Sequence, residues 1–237
     1  MQLVKPSKQL DSKMTNPVGK AGRMKKLIVT ILLFGPASLL IFISTRGCKH
    51  KFTELDDMGA IHTYAFTGVD GKKYTDKNFT NKLVLFTTIQ KTCPGDCAIS
   101  LWHLDQLIYQ HIRKNQKKLG YVKLVSFVTD GKGNPYEGLE DVEYTLKDQV
   151  DQYDSSIWIL ANGDARQVYN ISRNGKNLIQ KGKKYYGGES FQELMLLIDK
   201  RNHLRMALKG NSEGMIRKMK EHIALLDKQY DKAALKK

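Results

Sequence analysis

Apolar and polar positions fall into distinct regimes along the chain. Residues 1–26 are polar and basic, with isolated apolar positions. Residues 27–44 read LIVTILLFGPASLLIFIS, 18 residues without a charge. At about 1.5 Å per residue such a run just crosses the hydrocarbon core of a bilayer. Pro36 beside Gly35 disfavours a soluble helix, but both residues are tolerated in membrane helices. The run therefore predicts one transmembrane helix. Residues 45–59 are polar and read as a linker, after which periodic patterns return and define a domain over 60–232.

Within that domain Tyr64, Phe66 and Val69, then Asp70-Gly71 and Tyr74, predict a hairpin around a DG turn. Leu83, Val84, Leu85 and Phe86 form a continuous apolar run, as in a strand buried on both faces. From Ala98 the period lengthens. Leu101, Leu104, Ile108 and Ile112 share one helical stripe that ends near Gly120. Val122, Leu124, Val125, Phe127 and Val128 predict the next buried strand, residues 139–150 a helix, and residues 157–160 another strand. A short helix over 164–171 and a Gly-, Lys- and Asn-rich loop over 173–188 follow. Residues 194–198 and 204–208 flank a turn at 199–202 as a second hairpin. Residues 212–230 read as an amphipathic helix with Ile216, Met219, Ile223 and Leu226 inward. The order β-β-β-α-β-α-β-α-β-β-α predicts an α/β domain of thioredoxin-like fold with an extra N-terminal β-hairpin.

Composition sharpens the topology. Lys and Arg number 39 against 24 Asp and Glu, a net +15. Residues 1–26 hold seven basic residues against Asp11 alone, a net +6, which leaves +9 spread over the rest. The scattered lysines lack the aromatic interleaving of a nucleic-acid-binding face, so no nucleic-acid partner is expected. Lys25 and Lys26 abut the apolar run, and only Arg46, Lys49 and Lys51 follow it closely. The positive-inside bias keeps residues 1–26 cytoplasmic and exports the domain. A cleaved signal peptide is the alternative, but the run exceeds an ordinary h-region and lacks a small-x-small exit. Cys48 would suit a lipoprotein, except that Arg46 stands where a small or apolar residue is needed. The reading is a single-pass protein of a bacterial inner membrane, with its domain in the periplasm.

Three cysteines exclude a disulfide-stapled miniprotein, and no pair of CxxC knuckles points to zinc. Two of the three are placed for chemistry. Cys93 and Cys97, in Thr92-Cys93-Pro94-Gly95-Asp96-Cys97, fall between the first buried strand and the first long helix, where open α/β sheets place their sites. Cys93 at the N-cap, Pro94 at N1 and Cys97 one turn on would put both sulfurs on one side of the helix start. A helix N-terminus favours thiolate; Lys91 adds to that and Asp96 opposes it. Such a pair can close as a reversible disulfide, with Cys48 outside it, or offer two soft ligands to Cu(I). The plain alternative is a static structural disulfide or two buried thiols.

With these residues in view the chain resembles the Sco/SenC family of copper-handling thioredoxin-like proteins. The resemblance rests on the lone anchor, the CPGDC form of C-x-x-x-C, and Ser126-Phe127-Val128-Thr129-Asp130. Trp158 leading to Asn162-Gly163, and Leu197-Ile198-Asp199 opening the last hairpin, extend it over roughly residues 60–230. It implies copper delivery or thiol preparation during respiratory oxidase assembly, with copper held by Cys93 and Cys97. It also implies a third ligand, a histidine a few residues before Leu197-Ile198-Asp199. Here that stretch reads Tyr185-Tyr186-Gly187-Gly188-Glu189-Ser190-Phe191-Gln192, without one. The six histidines lie elsewhere: His50 and His62 before the core, His103 across the helix from the cysteines, His111 at the core edge, and His203 and His222 at the surface. The prolines are Pro6, Pro17, Pro36, Pro94 and Pro135, so the proline loop that faces the cysteines of general disulfide exchangers is missing too.

Three functions stay open. One is copper delivery to a respiratory oxidase subunit or another copper or thiol protein. The second is thiol–disulfide exchange with Cys93 attacking and Cys97 resolving. The third is a non-catalytic binding module.

Overall fold

The computed structural model describes residues 20–47, 54–91, 99–130, 133–173, 176–177 and 191–235. The chain divides into two compact units, residues 1–52 and residues 53–237.

The first unit holds helix α1 (Lys20–Gly47). Its apolar part, Met24–Ser44, is 21 residues long, and its large side chains are exposed. That length is roughly 31 Å of helix, enough to cross a bilayer as an anchor or to act as a signal sequence. Pro36 sits inside the helix without breaking it. A proline brings no amide to the carbonyl one turn back. Nearby, the Ser38 hydroxyl donates to the Phe34 and Gly35 carbonyls, both at 3.0 Å, the kind of local satisfaction that lets proline persist in apolar helices.

The second unit is an α/β layer structure around one mixed sheet. Its strands are β1 (Ala65–Gly68), β2 (Lys73–Thr75), β3 (Leu83–Gln90), β4 (Val122–Thr129), β5 (Trp158–Asn162), β8 (Leu194–Ile198) and β9 (Leu204–Lys209), ordered β2-β1-β5-β4-β3-β8-β9. Strands β3, β4 and β5 are parallel, whereas β8 runs antiparallel to β3 and pairs with β9 as a hairpin. This β4-β3-β8-β9 arrangement, with helices inserted after β3 and β4 and a helix closing the chain, is the thioredoxin-like order read from the pattern. The N-terminal hairpin β1–β2 adds to β5 at the other edge, and Gly71 in its turn has φ 72°, which a glycine adopts without strain.

Both faces of the sheet are covered, which is why β3 opens on an unbroken apolar run over residues 83–86 and β4 is mostly apolar. Leu83 and Leu85 face a core packed by α2 (Leu101–Leu104), α3 (Gln110–Lys114), α4 (Gln116–Leu119), α5 (Leu139–Gln149) and α7 (Glu213–Ala234). Val84 and Phe86 face a second, aromatic-rich core with Tyr64, Phe66, Phe127 and Tyr169, the last from α6 (Arg166–Tyr169). Alternate side chains of one strand must point to opposite faces, so two cores favour apolar residues at successive positions. On α7 the expected stripe of Ile216, Met219, Ile223 and Leu226 is buried.

Three local expectations need correction. The helix read from Ala98 to Gly120 begins at Leu101, passes through a π turn at Asp105–Tyr109, and is interrupted at Asn115, whose backbone lies at φ −118° and ψ 34°. Asp105 lies on the apolar stripe and is turned inward, where its carboxylate accepts from the Gln106 and Gln110 amides at 2.6 and 2.9 Å. Second, the expected loop after residue 171 starts with a small hairpin of β6 (Ser172–Arg173) and β7 (Lys176–Asn177); its remainder is outside the described residues.

Third, the end of the polar linker is packed. Leu55 is buried, Met58 N–H donates to the Leu204 carbonyl at 2.8 Å, and Leu204 N–H donates to the Gly59 carbonyl at 2.9 Å. The Asp57 carboxylate pairs with His203 at 2.9 Å and Arg201 at 2.8 Å. Burial alone would raise its pKa, but the Gly59 amide, His203 and Arg201 outweigh that and hold it below the usual carboxylate value. His203 is thus engaged in a contact that ties residues 54–61 to β9.

Candidate functional site

The parallel strands present their carboxyl ends together. At the end of β3, Lys91 N–H donates to the Thr129 carbonyl at the end of β4, 2.9 Å away. After the cysteine segment, Ile99 is buried and packs on Gly210, where a Cβ would lie 2.8 Å from its side chain. Ser100 N–H donates to the Gly210 carbonyl at 2.9 Å. Both flanks of the segment are therefore pinned to the sheet edge. Cys93 and Cys97 themselves, with the rest of 92–98, lie outside the described residues.

The flanks still decide part of the expected chemistry. Ser100 has extended backbone and stands at the N-cap position of α2, so this helix starts at Leu101, beyond Cys97. The expectation that Cys93 caps it, with Pro94 at N1, is not met. The Ser100 hydroxyl lies 2.7 Å from His103 Nδ1, which occupies the first turn instead. The Lys91 ammonium sits 2.7 Å from the Asp141 carboxylate of α5 and 4.8 Å above the Tyr136 ring, while the thiols it could favour as thiolates lie outside the described residues. Those two contacts, Asp141 first, raise its pKa and hold its charge on the α5 side.

A third segment returns to the same edge. Gln192, two residues before the start of β8, is buried. Its backbone carbonyl accepts from Thr88 Oγ1 of β3 at 2.7 Å. Its side-chain amide lies 2.8 Å from Thr129 Oγ1, 3.2 Å from the Asp130 carbonyl and 3.2 Å from Gly133 N, a set satisfied when the amide oxygen faces the Gly133 N–H. Gly133 has φ 84°, and a Cβ there would stand 2.6 Å from the Phe191 ring, so glycine is needed on both counts. Phe191 and Gln192 belong to the stretch that lacks the histidine, and they close over the ends of β3 and β4. Residues 178–190 are outside the described residues.

The histidines are distributed as follows. His62 is exposed and His103 holds Ser100. His111 lies at the core edge as expected, with burial first and Lys220 second lowering its pKa. His222 departs from the surface role: both ring nitrogens are buried without a hydrogen-bond partner. Burial foremost, then Lys218, lowers its pKa, against a smaller opposing effect of Glu221. Among the described residues no three His, Cys, Asp or Glu side chains are placed to hold a metal ion.

Sequence reading missed Gln192, Asp105 and Trp102. Asp105 had a signal, a carboxylate on an otherwise apolar helix stripe. Trp102 is 68% exposed at the start of α2.

No protein-family model matches the chain, and no curated protein sequence matches it. Solved structures do show likenesses. A SCO1/SenC family lipoprotein from Bacillus anthracis is 19% identical, with 70% of this chain and 96% of that one covered and a TM-score of 0.46. Yeast Sco1 with copper bound is 17% identical over 70% of this chain and 90% of that one, also with a TM-score of 0.46. A candidate protein disulfide isomerase from Bacteroides thetaiotaomicron is 15% identical over 73% and 92%, with a TM-score of 0.47. These are likenesses of chain course alone; the fold assignment rests on the strand order described above.

Proposed function

We propose that this chain is a membrane-anchored Sco/SenC-like protein that handles Cu(I) or prepares partner thiols through Cys93 and Cys97. The observation that carries the reading is the pinning of both flanks of the C-x-x-x-C segment. Lys91, after β3, is held on Thr129 at the end of β4, and Ser100 is held on Gly210, just after β9. The carboxyl ends of parallel strands are where α/β folds place reactive groups. Two thiolates suit Cu(I), which is soft and accepts low coordination numbers; Cu(II) favours nitrogen ligands and tetragonal geometry. Without the histidine that the family resemblance implies, the pair is suited to carry Cu(I) as cargo and to hold Cu(II) weakly.

The thiol reading uses the same residues. Cys93 thiolate attacks one sulfur of a partner disulfide and releases one partner thiolate. Cys97 then attacks the Cys93 sulfur, releases the second partner thiolate, and leaves Cys93 and Cys97 joined. The partner gains the two electrons that the chain loses. Helix α1 would hold the protein in a bacterial inner membrane with the domain facing the periplasm, beside a respiratory oxidase subunit or another copper or thiol protein.

Anaerobic Cu(I) titration of the full chain with a parallel thiol count separates the readings. Copper handling predicts one Cu(I) per chain, lost in Cys93→Ser and in Cys97→Ser and kept in Cys48→Ser. A pair that cycles between dithiol and disulfide but takes no Cu(I) leaves the thiol reading alone. A pair that does neither refutes both and favours a binding module.

A further inference from the structure

A cleft of about 320 Å³ lies between α2, with its π turn, and α5, at the end of β3. That volume is within the range of pockets that hold small ligands or single side chains. Leu101, Trp102, Val142 and Leu146 are among its apolar walls, and Asp105, Lys91 and Asp141 are its charged groups. Lys91 and Asp141 neutralise each other. Asp105 is different: it is only 3% exposed, and its hydrogen bonds come from the neutral amides of Gln106 and Gln110. Among the described residues no cation lies within ion-pair distance of it. Buried carboxylates are ordinarily paired, because taking a charge from water is costly without a counter-charge. The cleft is net negative in a chain of net charge +15, and its wall includes a tryptophan left 68% exposed.

We propose that this cleft binds a lysine or arginine side chain of a partner polypeptide, with its alkyl stem along Trp102 and its charged head at Asp105. Long basic side chains carry an apolar stem and a cationic tip, and an indole face attracts such a cation. The apolar walls take the stem and Asp105 supplies the missing counter-charge. This binding involves no thiol chemistry, so it stands or falls separately from the role of Cys93 and Cys97.

The test uses the full chain in detergent micelles, with acetyl-Leu-Lys-Leu-amide and acetyl-Leu-Gln-Leu-amide as probes. The chain has two tryptophans, and Trp158 is fully buried, so Trp102 reports on the cleft. The lysine peptide is expected to shift Trp102 emission and to bind at least about ten-fold more tightly than the glutamine peptide, with a dissociation constant below about 10 mM. Asp105→Asn should erase that preference while the glutamine peptide binds as before. Equal binding of the two peptides, tighter binding of the glutamine peptide, no emission change up to about 10 mM, or a preference that survives Asp105→Asn would each overturn the proposal. Trp102→Ala, at an exposed position, provides a second variant. Calorimetry should show its affinity for the lysine peptide falling at least about ten-fold, and an unchanged affinity also overturns the proposal.

Discussion

At the residue scale the most consequential polar group inside the sheet is Ser126. Its hydroxyl accepts from the Trp158 indole N–H at 2.8 Å and lies 2.6 Å from Thr87 Oγ1, and all three residues are buried. One small side chain thus satisfies its neighbours on β3 and β5. Removing it leaves the indole N–H buried without a partner, whereas water would otherwise satisfy it. Ser126→Ala is expected to cost about 1–3 kcal/mol, read as a lower urea midpoint with an unchanged slope. A midpoint equal to that of the parent protein would show that another acceptor takes the indole. Trp158 was legible as a strand residue from its apolar neighbours. Its partner was not, because a serine 32 positions away carries no periodic signal.

At the element scale, α7 shows how far periodicity reaches. Its buried stripe follows from sequence spacing, since Ile216, Met219, Ile223 and Leu226 recur at helical intervals. The fate of His222 does not, because spacing along one helix does not say that both of its ring nitrogens are buried without a hydrogen-bond partner. Its pKa is lowered in the folded chain, chiefly by burial, so the unfolded chain takes up a proton near pH 6.5 while the folded chain resists. The stabilising contribution is complete above about pH 6.5 and is lost as pH falls below it toward the folded pKa. His222→Leu should flatten the decline in stability between about pH 7 and about pH 5 and leave stability near pH 7 equal or higher. His111, shifted in the same direction, should account for residual slope. Denaturant midpoints measured across that range check this; an unaltered slope in the variant would show that His222 is not the group responsible.

For the whole molecule, the division after Phe52 matters most. The second unit has its own two cores, and its first residues, 54–61, are bonded to the β8–β9 hairpin. A chain beginning at Thr53 should therefore stay soluble without detergent and melt within about 3 °C of the full chain, roughly the shift that 1 kcal/mol produces in a domain of this size. Aggregation, or a melting temperature much lower than that, would mean that the first unit contributes to folding. Beginning instead at residue 60 would remove Leu55 and Asp57, and with them the Leu55 and Asp56 carbonyls that the buried Arg205 guanidinium bonds, leaving it the Asp199 carboxylate at 3.1 Å. That shorter chain should be measurably less stable.

Local pattern alone determined α1, the buried strands, both main hairpins, the stripe on α7 and the position of Cys93 and Cys97 after β3. Each is a matter of spacing between near neighbours, where the period of the backbone directly dictates which side chains share a face. Only the tertiary structure decided that Lys91 turns to Asp141, 50 positions away, and that Asp57 meets His203 across 146 positions. The same holds for Gln192 closing the ends of β3 and β4, and for the cleft at Trp102 and Asp105. Polar groups choose partners by what burial leaves unsatisfied around them, and that inventory exists only once distant elements have packed.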